Sequence, residues 1–161
     1  MKKSLIVYYS YTGNTKIIAD MIKSETNFDT VELKPTIPFS SDYQEVVDEW
    51  QNNNVKRDVD IFDIDVDLSN YNNIIVCSPI WWYTITPVIT KFLKKYDLTG
   101  KTIYPVVTSA GWFGHSTADI KKLCANSKVM PTLEVTFSED YAEHKIEEFN
   151  IDFKKYVNSL K

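Results

Sequence analysis

The sequence predicts an α/β three-layer sandwich, and three observations carry that expectation. Five short apolar runs alternate with stretches of helical periodicity along the chain. The first, third and fourth runs are almost unbroken in β-branched or aromatic residues, the pattern of parallel strands covered on both faces. Alternating strand and helix then implies right-handed crossovers, with helices on both faces of the sheet. The 161 residues suit one domain, 1–161, and neither a repeat nor a low-complexity tract nor a linker interrupts them.

Taken in order, Leu5 to Tyr9 reads as the first strand. A helix over Thr15 to Ser24 follows, with Ile18, Met21 and Ile22 on one face. Thr30 to Leu33 is the second strand, and Tyr43 to Trp50 a helix with Tyr43, Val46, Val47 and Trp50 aligned. Asn52 to Asn73 breaks the alternation. Its Asp58, Asp60, Asp63, Asp65 and Asp67 interleave with Val59, Ile61, Ile64 and Val66, but no turn glycine or closing glutamate makes it a calcium loop. It reads as a solvated edge strand or an extended loop with its apolar side down. Ile74 to Cys77 is the third strand, and Val88 to Tyr96 a helix carrying Val88, Ile89, Phe92 and Leu93. Thr102 to Val107 is the fourth strand, followed by a helix over Ala118 to Cys124. Leu133 to Phe137 is the fifth, and Glu139 to Leu160 reads as one long closing helix.

Composition excludes several classes of function. Hydrophobic residues at 43% and charged residues at 25% describe a globular chain rather than a disordered one. A net charge of −4 lacks the basic footprint of a nucleic-acid binder. Cys77 and Cys124 stand in no metal or disulfide spacing, which favours a reducing compartment. Met1-Lys2-Lys3 and the apolar run behind it imitate a leader, but the run is short and polar Ser10-Tyr11-Thr12-Gly13 follows. No run reaches the ~20 apolar residues of a membrane span. The expected location is cytoplasmic.

In an open parallel sheet, ligands sit beyond the carboxyl ends of the strands. Ser10-Tyr11-Thr12-Gly13-Asn14-Thr15 follows the first strand and opens a helix. It offers hydroxyls, an amide, a glycine for close backbone approach and helix N-terminal N–H groups, the parts of a phosphate cradle. It matches neither the nucleotide triphosphate nor the dinucleotide glycine pattern. An ordinary N-cap by Thr12 or Asn14 is the competing reading. Ser78-Pro79-Ile80-Trp81-Trp82-Tyr83-Thr84 follows the third strand, and three adjacent large aromatics in such a loop suit a flat stacking partner. Thr108 to Ser116 follows the fourth, with two glycines beside Trp112 and Phe113. A phosphate cradle and two aromatic loops on one sheet edge imply a flat ring system carrying one phosphate arm.

These loops resemble those of the flavodoxins, most closely the flavodoxin-like branch with Pro-Ile-Trp-Trp in its second loop. Ser10-x-Thr12-Gly13-Asn14-Thr15 is similar to the family's FMN phosphate loop, Ser78 to Trp82 to its second loop, Tyr96 to Lys101 to the run into its fourth strand, and Thr108-Ser109 to the start of its third loop. The likeness extends over nearly the whole chain. It implies a flavodoxin-like fold, with a five-stranded parallel sheet of order 2-1-3-4-5 and helices on both faces. It also implies non-covalent FMN. The phosphate would lie on Ser10, Thr12, Gly13, Asn14 and Thr15. The isoalloxazine would lie between Pro79, Ile80, Trp81, Trp82, Tyr83 and Thr84 on one side and Ser109, Ala110, Gly111 and Gly114 on the other.

The chain departs from the family in two places. Tyr83 stands where a glycine is expected, and Ser109-Ala110-Gly111 where a Ser-Gly-Gly-like start is expected. The family holds its one-electron-reduced flavin with a flippable, glycine-containing peptide beside flavin N5, so Tyr83 puts that device in question.

His144, among Glu143, Lys145 and Glu147, reads as a solvated residue on a helix face. His115 lies at a helix start near the flavin mouth, where it is a candidate proton donor, although the helix dipole disfavours its cation. Ser116 or Thr117 is the expected cap of that helix. No catalytic residue and no metal ligand is assigned. The resulting expectation is an FMN-binding redox flavoprotein in flavodoxin-like electron transfer with a redox protein partner. The alternative is an NAD(P)H- or quinone-dependent FMN oxidoreductase acting on a small molecule. A binding module without redox turnover is the third reading, against which the intact phosphate loop and paired tryptophans weigh.

Overall fold

The computed structural model describes residues 3–51 and 58–161. The strands are β1 (Ser4–Tyr8), β2 (Asp29–Glu32), β3 (Asn73–Trp81), β4 (Thr84–Ile85), β5 (Thr102–Ser109), β6 (Lys128–Val129), β7 (Leu133–Phe137) and β8 (Ile146–Phe149). The helices are α1 (Asn14–Thr26), α2 (Tyr43–Gln51), α3 (Pro87–Lys95), α4 (Ser116–Leu123) and α5 (Phe153–Leu160). The main sheet runs β2-β1-β3-β5-β7-β8. The first five of these are parallel neighbours, which is the predicted order 2-1-3-4-5. The short strands β4 and β6 pair with β3 and β5.

Side chains alternate along the central strands and build a core on each face. Leu5 and Val7 of β1 and Ile74 and Val76 of β3 join Val46, Ile89, Phe92 and Ile120 from α2, α3 and α4. Ile6, Ile75 and Cys77 join Ile18, Ile22, Tyr156 and Leu160 from α1 and α5 on the other face. The unbroken apolar composition of β1 and β3 reflects this double burial.

Two expectations are corrected. The sheet has a sixth principal strand, because β8 pairs antiparallel with β7. The long helix over Glu139 to Leu160 does not exist. In its place come a 3-10 turn (Tyr141–Glu143), β8, and α5 capped by the Asp152 carboxylate, which accepts the Lys155 N–H at 2.9 Å. The antiparallel pairing of Ile146 and Phe149 with β7, together with the Asp152 cap, overrides the helical spacing of that segment.

The described part of the aspartate-rich stretch is an extended loop. Ile61 bridges Pro35 and is buried, while Val59, Ile64 and Val66 pack on the core. Its carboxylates face out, with Asp63 2.6 Å from Lys95 and Asp60 3.5 Å from Lys91. The start of that stretch, residues 52–57, lies outside the described residues, as do residues 1–2 and the side chain of Trp50. Among the described residues, no helix is long and apolar enough to cross a membrane.

Candidate functional site

The β1–α1 loop is framed by Ser10. Its Oγ accepts the N–H of Gly13 at 3.2 Å and of Lys16 at 3.1 Å, so this hydroxyl, rather than Thr12 or Asn14, satisfies the opening of α1. Gly13 occupies the N-cap position with φ 106°, a conformation that needs glycine. The loop contains no cationic side chain, and the adjacent Lys16 ammonium is paired with Asp20 at 2.8 Å. Thr15 is buried and its Oγ1 meets Thr108 Oγ1 at 2.8 Å, which ties this loop to the end of β5.

The second loop is shorter than expected because β3 continues to Trp81 and turns straight back into β4. Trp82 (φ 44°) and Tyr83 (φ 74°) form the whole turn. Positive φ at both central residues is the primed hairpin geometry that Asn-Gly normally fills. Two residues with Cβ atoms there carry a cost of roughly 1–2 kcal/mol each.

The turn is held from the third loop. The His115 N–H donates to the Tyr83 carbonyl at 2.7 Å, and a Cβ on Gly114 would lie 2.0 Å from that oxygen. The Asp119 carboxylate accepts both the Thr84 hydroxyl and His115 Nδ1–H, the latter at 2.6 Å. The expected capping of α4 by Ser116 or Thr117 is corrected. His115 is the N-cap and its side chain caps none of the helix N–H groups, Ser116 donates to the Phe113 carbonyl, and Thr117 pairs with Thr132.

Two clefts meet between these loops. The inner one, about 140 Å³, is lined by Thr12, Asn14, Pro79, Thr108, Ala110 and the Phe137–Glu139 run. The outer one, about 280 Å³, has Trp82, Tyr83 and Trp112 among its lining residues, with Val46 and Val47 of α2. Tyr11, Tyr43, Ile80, Trp81 and Ser109 line both, so the two are adjacent. Of the sequence-predicted site residues, Ser10, Gly13, Thr15, Thr84, Gly111 and Gly114 line neither cleft.

The aromatics divide their work. Trp81 is buried, packed edge-on against Tyr9, Tyr11 and Phe39 at centroid distances of 6.2, 5.5 and 4.9 Å. Burial pushes the Tyr9 phenol well above its ordinary pKa and Tyr11 upward as well. Tyr11 is pinned by donating to the Ser40 carbonyl. Tyr83 and Trp112 remain about half and two-thirds exposed, in edge contact at 4.8 Å.

Sequence reasoning missed a fourth loop. It spans residues 138–145, of which 139–145 fall in the expected helix, and Ser138, Glu139 and Tyr141 line the inner cleft. Tyr141 stacks on Tyr43 at 5.0 Å, and His144 Nδ1 lies 2.7 Å from Asn14 Oδ1. The sequence signal was Asp140, whose carboxylate caps a turn at Ala142 and stops a helix from passing through.

A family profile described as flavodoxin matches residues 3–149. No curated protein matches the chain. Among solved structures, a protein of Bacteroides eggerthii, provisionally described as a flavoprotein, superposes with a TM-score of 0.78 at 21% identity, over 99% of this chain and 96% of its own. A flavoprotein of Lactobacillus acidophilus solved with FMN gives 0.67 at 25% identity, over 83% and 93%. A Fusobacterium nucleatum flavodoxin bound to FMN gives 0.51 at 19% identity, over 88% and 74%, and this speaks to the fold alone.

Proposed function

This chain belongs to the flavodoxin family, and from that membership we propose that it is an FMN-binding redox protein that carries electrons to a protein partner. One observation supports the reading: Thr12 and Asn14 of the Ser10–Thr15 loop line a cleft that adjoins a second one walled by aromatic side chains. The residues fit the cofactor. Backbone N–H groups at the start of the 13-residue α1, with hydroxyl and amide side chains, are a donor set for a monophosphate. The absence of cations within the cradle leaves the helix dipole and N–H groups to balance the anion.

In this reading Ser10, Thr12, Asn14 and Thr15 hold the phosphate, and Gly13 lets it approach the backbone. Pro79, Ile80, Trp82 and Tyr83 face Ser109 and Ala110 across the ring site. Trp81 acts from beneath, as the packed floor. Gly111 and Gly114 shape the third loop, and Gly114 makes room for the Tyr83 carbonyl. Bound there, FMN supplies reversible one- and two-electron chemistry. The relative solved with FMN supports the choice of cofactor.

A second reading, an FMN oxidoreductase using NAD(P)H or a quinone, is favoured by the restraint on Tyr83. A carbonyl already engaged by the His115 N–H is less free to turn toward a reduced flavin. Fluorescence titration with FMN tests the shared premise. Anaerobic photoreduction, then NAD(P)H consumption with a panel of quinones, separates the two readings. Stoichiometric absence of FMN binding overturns both.

A further inference from the structure

The β7–β8 connection brings a histidine onto the phosphate cradle from 130 residues away in sequence. His144 Nδ1 lies 2.7 Å from Asn14 Oδ1. An amide oxygen only accepts, so Nδ1 carries the hydrogen and donates it. With its oxygen engaged, Asn14 has only its N–H2 group left to offer an anion in the cradle. The imidazole also stands beside the neighbouring residue, in the space a side chain at position 13 would need: a Cβ on Gly13 would lie 3.3 Å from His144 Cε1. The ring thus sits over the opening of α1.

The arm bearing this histidine is anchored. Ser138 N–H donates to the Lys145 carbonyl at 2.8 Å and closes the base of the connection. Tyr141 stacks on Tyr43 at its crest. His144 itself ends the 3-10 turn with φ 51°, the left-handed conformation that aims its side chain back toward α1.

We propose that His144 is a positioning residue for the flavin phosphate, fixing the Asn14 side chain with its N–H2 toward the anion and so setting the preference for a phosphorylated flavin. This rests on the assignment of the Ser10–Thr15 loop to the phosphate. The role is orientational, since His144 acts through Asn14.

The test is a pair of fluorescence titrations, FMN and riboflavin, on the full chain. In His144→Ala, FMN weakens about tenfold, as the Asn14 N–H2 loses its aim at the phosphate, while riboflavin is unchanged. His144→Gln, which retains an N–H donor, recovers most of the loss. In an Asn14→Ala background, His144→Ala changes FMN affinity by less than about twofold, because the group it orients is gone. Equal weakening of both flavins, or an unchanged FMN affinity in His144→Ala, overturns the proposal. Wild-type protein that binds riboflavin as tightly as FMN overturns instead the phosphate-loop assignment beneath it. Should His144→Ala unfold, His144→Phe, which keeps a ring but offers no N–H donor, takes its place: weakened FMN with unchanged riboflavin supports the proposal, and equal weakening of both flavins overturns it.

Discussion

The Tyr83 carbonyl accepts the backbone N–H of His115 at 2.7 Å, joining the two aromatic loops through the main chain. Tyr83 sits at φ 74°, so the bond holds in place a residue that would otherwise relax. Photoreduction of the FMN-loaded protein is expected to pass to the two-electron form with little one-electron-reduced flavin. Tyr83→Gly, free at positive φ, should widen the gap between the two one-electron potentials. Near-complete accumulation of the one-electron form in the wild type would refute the restraint.

Gly114 leaves the space in which that bond forms. A Cβ there would lie 2.0 Å from the Tyr83 oxygen and 2.5 Å from its Cα, at φ 53°. Gly114→Ala should cost about 3 kcal/mol, from overpacking against rigid backbone and a left-handed alanine. Urea unfolding measures it, and a change below about 0.5 kcal/mol, within ordinary surface variation, would contradict the close approach.

Trp81 and Trp82 are adjacent in sequence and opposite in role. Trp81→Ala removes the floor of the Tyr9–Tyr11–Phe39 cluster and should cost about 3–5 kcal/mol of stability. Trp82→Ala should leave stability nearly intact and raise the fluorescence of bound FMN by removing a stacking partner. Melting curves and quenching read the two effects separately, and unchanged quenching in Trp82→Ala removes Trp82 from the ring site.

Alkali should expose the buried phenols. Burial, with Glu32 beside it, raises Tyr8 from 10.0 to about 12, and burial pushes Tyr9 and Tyr156 higher still. The folded state thus keeps protons that the unfolded chain releases. The stability this provides is complete below pH 10 and declines as pH rises through the folded-state values. Denaturation midpoints should hold level from pH 8 to about 10 and fall above it; a constant midpoint to pH 12 would rule this out.

Neither thiol should react in the folded protein. Cys77 is wholly buried and Cys124 nearly so, and burial raises Cys124 from 9.0 to about 11. A thiol reagent at pH 8 should label no cysteine until denaturant is added. Rapid labelling in native buffer would contradict the packing of Cys124 beneath α4.

The parts of this architecture that follow local rules were legible in the sequence. Doubly buried strands such as β1 and β3 announce themselves by composition, and the three loops at their carboxyl ends follow from strand order. What escaped reading depended on long-range pairing. Ile146 and Phe149 have apolar spacing compatible with a helix, and only the presence of β7 makes them a strand. With that stretch read as a helix, His144 falls on a solvated helix face; in the structure it is exposed, but it ends a 3-10 turn and reaches Asn14, a partner no local pattern announces. Tyr43 shares a helix face with buried Val46 in the periodicity, yet it stands about half exposed, stacked with Tyr141. The length of β3 was underestimated because Trp81 pairs with Thr84, an interaction set by a turn whose residues break the usual composition.

The span between Asn14 and His144 bears on biosynthesis. A nascent chain exposes the Ser10–Thr15 loop long before the β7–β8 connection that reaches it has been made. Thr15 waits likewise for Thr108. On the proposed assignment of this loop to the phosphate, capture of the flavin would report that the β7–β8 connection has docked, and a chain that has built only β1 and α1 would lack the contacts that hold Asn14 and Thr15.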